Sequence, residues 1–208
     1  MQISKLYETK LECSSYNVNI DSTDTTVTLT LVDFNGSPVT NTAVTLKADK
    51  GYFTKAVGKT TTTYTDASAT KSINVTTDNY GKVVATWTAS EWGLCTFSAN
   101  NNIVQVLIKG YRTYSNNRYT IYHDEKMCHM QFSHNYTDEF PSRDEWSDFS
   151  SVVTVPSELS PENLVVITTS FYNFYHLIRS SGVMAWKNKT GSKITPGDVQ
   201  FSVSWKKA

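Results

Sequence analysis

The 208 residues include 19 Lys plus Arg and 19 Asp plus Glu, so the chain is formally neutral at pH 7. This excludes the global positive field that draws a protein onto nucleic acid or anionic lipid. Hydrophobic residues make up 39% and aromatic residues 12%, and neutrality with that aromatic content excludes disorder and leaves a folded chain of one or two domains.

Met1-Gln2-Ile3-Ser4-Lys5-Leu6 has no apolar segment of the kind a secretory signal carries. The longest apolar run, Leu164 to Ile167, is far shorter than the roughly 20 residues that cross a bilayer as a helix, so no membrane insertion is expected. Cys13, Cys95 and Cys128 contain no CxxC pair. A Cys13–Cys95 bridge requires the first strand to neighbour a late one; free buried thiols are the simpler expectation.

From the N-terminus to Gly110 the chain alternates at period two. Val27, Leu29 and Leu31 are separated by Thr28 and Thr30, the pattern of a half-buried strand. Asn35-Gly36-Ser37-Pro38 supplies a turn. Val44 and Leu46 resume the pattern until Lys50-Gly51, and the Thr-rich stretch from Lys59 to Thr65 reads as a loop or polar edge strand. Ile73 and Val75 follow, then the turn Asp78-Asn79-Tyr80-Gly81. Val83, Ala85 and Trp87 share one strand face, and Leu94 to Ala99 and Val104 to Ile108 close the set. Six or seven short strands with turn signals between them predict a β-sandwich.

Val27 to Val39, followed by Ala43-Val44-Thr45-Leu46, resembles the opening of bacterial Ig-like domains of the invasin/intimin kind. Thr77 to Trp87 resembles their later turn and strand. The resemblance covers roughly Val18 to Gly110 and implies an Ig-like module. Such modules serve as stalks in surface adhesins, are also found in virion proteins, and rarely carry chemistry.

Composition shifts near Gly110: all four His, three of the five Trp and most of the Phe lie beyond it. Two domains are therefore expected, residues 1–110 and 111–208. In the second, Arg118 to Tyr122 alternates, Asp124-Glu125-Lys126 is a polar turn, and Met127 to His134 alternates again, which predicts a hairpin. Cys128, Met130 and Phe132 fall on one face, His129 and Gln131 on the other. Ser142-Arg143-Asp144-Glu145 fits a capping box, so a short helical turn is expected after Pro141. Val152, Val153 and Val155 lead into Pro156 to Pro161. The β-branched run Val165 to Thr169 argues for a strand over a helix capped by Ser160. Phe171 to Ile178, a turn at Ser180-Ser181-Gly182, Val183 to Lys187, and a last strand with Val199, Phe201, Val203 and Trp205 complete the order.

Thr154 to Pro161, Ser181 to Trp186, Thr190 to Ile194 and the final apolar strand are similar to the C-terminal head domains of phage tail-fibre and receptor-binding proteins. That resemblance spans roughly Tyr111 to Ala208. It implies a β-sandwich head, commonly trimeric, that touches the host envelope.

Three constellations are candidates for chemistry. His123, Cys128, His129 and His134, with His176 elsewhere, offer imidazole and thiolate ligands for zinc. Their spacing matches no standard ligand pattern, and no metal or cofactor is expected. Asp138, Glu139, Asp144, Glu145 and Asp148 offer carboxylates for glycoside hydrolysis, although acids beside a capping box also suit a helix start. No G-x-S-x-G elbow or Gly-rich phosphate loop is present. Finally, Tyr111, Tyr114, Tyr119, Tyr122, Tyr136, Tyr172, Tyr175 and Trp186 are aromatics that can stack on sugars or fill a protein interface. Tyr172, Tyr175, Trp186 and Tyr136 are the expected receptor or carbohydrate contacts. Asn35, Asn74, Asn135 and Asn188 each open an N-x-S/T triplet, as chance provides in so Thr- and Asn-rich a chain.

The sequence reading is thus an all-β chain, an Ig-like sandwich followed by a second sandwich, with a non-enzymatic role. The resemblances imply a virion tail or fibre protein that attaches, as a homotrimer, to a polysaccharide or protein receptor on a host cell. A fragment of a cell-surface adhesin and a carbohydrate-active enzyme or binding module are the alternatives.

Overall fold

The computed structural model describes residues 7–65, 70–137, 139–140, 145–148, 154–168 and 174–208. Contacts divide the chain into two compact units, Met1–Gly110 and Tyr111–Ala208. Both are all-β. Among the described residues the helical content is one 3-10 turn at Ser157–Leu159, and no helix is long and apolar enough to cross a membrane.

The first unit contains β1 (Glu8–Cys13), β2 (Asn17–Asn19), β3 (Thr25–Val32), β4 (Ala43–Ala48), β5 (Tyr52–Val57), β6 (Thr61–Thr63), β7 (Ser72–Thr76), β8 (Lys82–Thr88), β9 (Gly93–Ala99) and β10 (Asn102–Lys109). They form two sheets, ordered β1-β3-β8-β5-β6 and β2-β10-β9-β4-β7. The start of the chain is shared between them: β1 pairs antiparallel with β3, and β2 pairs parallel with β10. This is an Ig-like β-sandwich. Its core follows from the alternation, since Val27, Leu29 and Leu31 of β3 and Val83, Ala85 and Trp87 of β8 are all fully buried. Trp87 meets Phe97 of the opposite sheet edge-on, with ring centroids 5.0 Å apart, an arrangement worth about 0.5–1.5 kcal/mol beyond the area it buries. Its indole N–H donates to the Lys50 carbonyl at 2.9 Å.

Three strands of this unit are absent from the sequence reading, and each has a local cause. A register shift lies between Phe53 and Lys55 where β5 pairs with β8. Phe53 and Ala56 therefore both point inward, and the period of two is lost. In β1, where only Thr9 is buried, charged Glu8, Lys10 and Glu12 mask the pattern, as is usual for an edge strand. β2 is three residues long. The Thr-rich stretch does form a polar edge strand, the fully exposed β6.

The second unit contains β11 (Arg112–Ser115), β12 (Tyr119–His123), β13 (Met127–Tyr136), β14 (Ser147–Asp148), β15 (Val165–Thr168), β16 (Phe174–Ile178), β17 (Met184–Asn188) and β18 (Gly197–Lys206). Its sheets run β11-β12-β13-β18 and β14-β17-β16-β15, and every strand pair in them is antiparallel. Tyr119, Ile121, Cys128, Met130, Phe132, Val199 and Trp205 of the first sheet pack with Ile167, Ile178, Met184 and Trp186 of the second. Of the β-branched run, Val165–Thr168 is a strand, and Gly182 turns the chain at φ +80°. Residues 142–144 of the expected helical turn at Ser142–Glu145, and the valines Val152 and Val153, lie outside the described residues.

Candidate functional site

Alternation in the second unit leaves a polar outer face on the β11-β12-β13-β18 sheet. The strand registers set its residues in rows. Thr113, Tyr122, His129 and Ser204 are successive cross-strand partners, as are Ser115, Thr120, Gln131 and Ser202. Ser133 then pairs with Gln200, and Asn135 with Asp198. Side-chain hydrogen bonds stitch the margins. His129 Nδ1 lies 2.9 Å from Ser204 Oγ, Ser115 Oγ is 3.1 Å from Thr120 Oγ1, and Asn135 donates to Asp198 at 2.6 Å. In the middle, the side chains of Gln131, Ser133, Gln200 and Ser202 stand exposed and make no side-chain hydrogen bond among the described residues.

Two open grooves cross this face. One, of about 690 Å³, is lined by Asn117, Arg118, Thr120, Gln131, Ser133, Gln200 and Ser202 among others. The second, of about 520 Å³, is lined by Tyr111, Tyr122, Asp124, His129, Gln131 and Ser204 among others. Gln131 belongs to both. Tyr111 packs edge-on against Tyr122 at 5.3 Å between ring centroids, which fixes the Tyr122 ring at the groove. Asp124 Oδ1 accepts the backbone N–H groups of Lys126 and Met127, both at 2.8 Å. These bonds hold its carboxyl below the usual range and the hairpin turn in shape.

The expected contact residues lie elsewhere. Tyr136 and Trp186 are buried, not surface aromatics. Trp186 meets Phe140 edge-on at 4.6 Å and Tyr136 meets Phe140 at 5.3 Å, so both rings build the core. Tyr175 is half-buried on β16, and Tyr172 is outside the described residues. Sequence reasoning had placed His129 and Gln131 on the face opposite the core, but missed Ser133, Gln200, Ser202 and Ser204. The available signal is the polar phase of β13 and β18, of which the apolar half alone marks the core.

The His-rich segment divides. Cys128 is buried and faces inward, while His129 faces out. His123 stands opposite Cys128 across the hairpin, and His176 is buried in the other sheet, its Nε2 3.2 Å from the Tyr136 hydroxyl. Among the described residues no three His, Cys, Asp or Glu side chains group as a metal site. All three cysteines are free. Of the acids, Glu139 pairs with Lys193 at 3.2 Å and Glu145 is exposed; Asp138 and Asp144 lie outside the described residues. Asn188 is buried and donates to the carbonyls of Phe140 and Ser192 at 2.8 and 2.9 Å, which removes it as a glycosylation acceptor.

No protein-family model matches the chain, and no curated protein matches it. Among solved structures, domains 5-6 of the S-layer protein SbsC align over 97% of this chain and 97% of that one, with 12% sequence identity and a TM-score of 0.30.

Proposed function

We propose that the chain is a non-enzymatic attachment protein of a phage-type tail or fibre. In this reading the second unit recognises a receptor on the host cell surface and the Ig-like unit is its spacer. The observation that carries the reading is the open face of the β11-β12-β13-β18 sheet, where Gln131, Ser133, Gln200 and Ser202 present hydrogen-bonding groups that no described part of the protein uses. Loops and sheet faces held by a rigid sandwich are the usual carriers of recognition. A homotrimer would set three such faces on one target, and several weak sites acting together gain avidity.

The test is retention of the labelled chain by cells of a panel of bacterial strains, read by flow cytometry. Saturable retention by one or more strains, displaced by unlabelled chain and lost in Ser202→Trp but kept in Thr62→Glu on β6, is expected. Retention that is non-saturable, or equal in both variants, overturns it. Light scattering behind a sizing column checks the assembly: three times 23.4 kDa is the expected mass, and a monomer at every concentration removes the trimer.

A further inference from the structure

We infer that the ligand of this face is an uncharged polysaccharide chain that runs along the strand direction, from the Tyr111–Tyr122 pair over Gln131 to Asn117 and Gln200. The inference rests on the attachment reading for the use of the face and adds the class of receptor.

Three observations carry it. The two grooves adjoin at Gln131 and both are open, a shape that suits an extended chain rather than a small molecule held in a closed pocket. While Tyr111, Tyr122, Met127 and His129 line the second groove, in the first the polar side chains other than Arg118 are amides and hydroxyls, among them Asn117, Thr120, Gln131, Ser133, Gln200 and Ser202, each of which both donates and accepts. Sugar hydroxyls do the same, so each contact can be satisfied in either direction. Charge is sparse and balanced. Arg118 lines one groove and Asp124 the other, and Asp124 already takes two backbone N–H groups. No surplus of either sign remains to select a polyanion or a basic peptide.

A protein partner fits this face less well. Protein interfaces draw their energy from an apolar centre with aromatic or Arg anchors, whereas the centre here is Gln131, Ser133, Gln200 and Ser202. The aromatic group stands at one end. Tyr122, oriented by Tyr111, gives an apolar ring on which the C–H face of one sugar residue packs, with a fixed orientation that lowers the entropic cost of binding.

The full-length, isotope-labelled protein is to be titrated with maltoheptaose, a linear β-1,3-glucan heptaose, a mannan oligosaccharide and a galactan oligosaccharide, and separately with polygalacturonate, following backbone amide signals by NMR. At least one neutral oligosaccharide is expected to move the signals of Tyr122, His129, Gln131 and Ser202, with an affinity unchanged between about 50 and 500 mM NaCl. Gln131→Ala and Tyr122→Ala are each expected to weaken it by about tenfold, while the remaining spectrum shows the fold intact. The inference is overturned if no neutral sugar moves those signals. It is equally overturned if polygalacturonate alone binds, with an affinity that falls as salt rises. Cell retention separates the two readings. Retention without sugar binding leaves the attachment role standing with a receptor of another class, and sugar binding without retention removes the attachment role while the site stands.

Discussion

Asp33 and Asp78 occupy the same position in two copies of one turn. Oδ1 of Asp33 accepts the N–H groups of Asn35 and Ser37, both at 2.9 Å, and Oδ1 of Asp78 accepts those of Tyr80 and Lys82, both at 2.8 Å. In each, the glycine three residues on donates to the aspartate carbonyl, Gly36 at 3.0 Å and Gly81 at 3.2 Å. The two turns also abut, because Leu31 N–H donates to the Gly81 carbonyl at 2.8 Å. They raise Phe34 and Tyr80 into solvent at 79% and 73% exposure. Replacing either aspartate by Ala strands two turn N–H groups and is expected to cost about 1 kcal/mol, by analogy with the loss of a helix cap. Asn, which keeps the acceptor, should recover most of it. Urea midpoints of the four single variants check this, and an Asn variant as unstable as its Ala counterpart would remove the side-chain oxygen from the account.

The glycines of the twin turns separate strain from contact. Both have positive φ, +78° at Gly36 and +70° at Gly81, but a Cβ at Gly36 meets nothing within 4 Å whereas one at Gly81 meets the Leu31 carbonyl oxygen at 2.5 Å. Gly36→Ala is expected to cost only the left-handed backbone penalty, about 1 kcal/mol. Gly81→Ala should cost clearly more, because backbone has to move. Thermal unfolding of the two variants in one buffer gives the comparison, and equal losses would exclude the close approach as a factor.

His176 makes stability depend on pH. Burial lowers its pKa from 6.5 to about 3, so the folded protein holds it neutral. The unfolded chain takes up a proton near pH 6.5. Above that value neither state is protonated and the stability is complete; between about 6.5 and 3 only the unfolded state binds the proton. Stability therefore falls with decreasing pH, by up to about 1.4 kcal/mol per pH unit from this group. His176→Phe is expected to lose stability at pH 7, since the contact between His176 Nε2 and the Tyr136 hydroxyl is lost, but to show a shallower decline from pH 6 to 4. Urea titrations across that range test it, and parallel declines would show that His176 does not titrate on unfolding.

The thiols are expected to be unreactive in the folded protein. Desolvation raises Cys13 and Cys128 to about 11 and Cys95 to about 12, so at pH 8 the nucleophilic thiolate is a minor species at all three. Reaction with a chromogenic disulfide reagent should be slow in buffer and release three equivalents in urea. A rapid equivalent in buffer would identify an accessible thiolate, with half-buried Cys13 the first to check by mass spectrometry.

The all-β class, the turns at Asn35-Gly36 and Ser181-Gly182, and the inward phase of β3, β8, β13 and β18 were determined by sequence alone. They follow from a two-residue period and from turn chemistry, both of which act over a few neighbours. The strand β5 escaped because its bulge changes the period, and β1 because charge covers an edge strand. Only the tertiary structure decided that Tyr136 and Trp186 are core rings: a large aromatic with a polar tip serves equally inside or outside, and the rings that surround it make the difference. The candidate site depended on it too. Gln131, Thr120 and Ser202 share a row only because β13 pairs with β12 on one side and with the distant β18 on the other, and the register of strands far apart in the chain is fixed by the packing of the whole sheet.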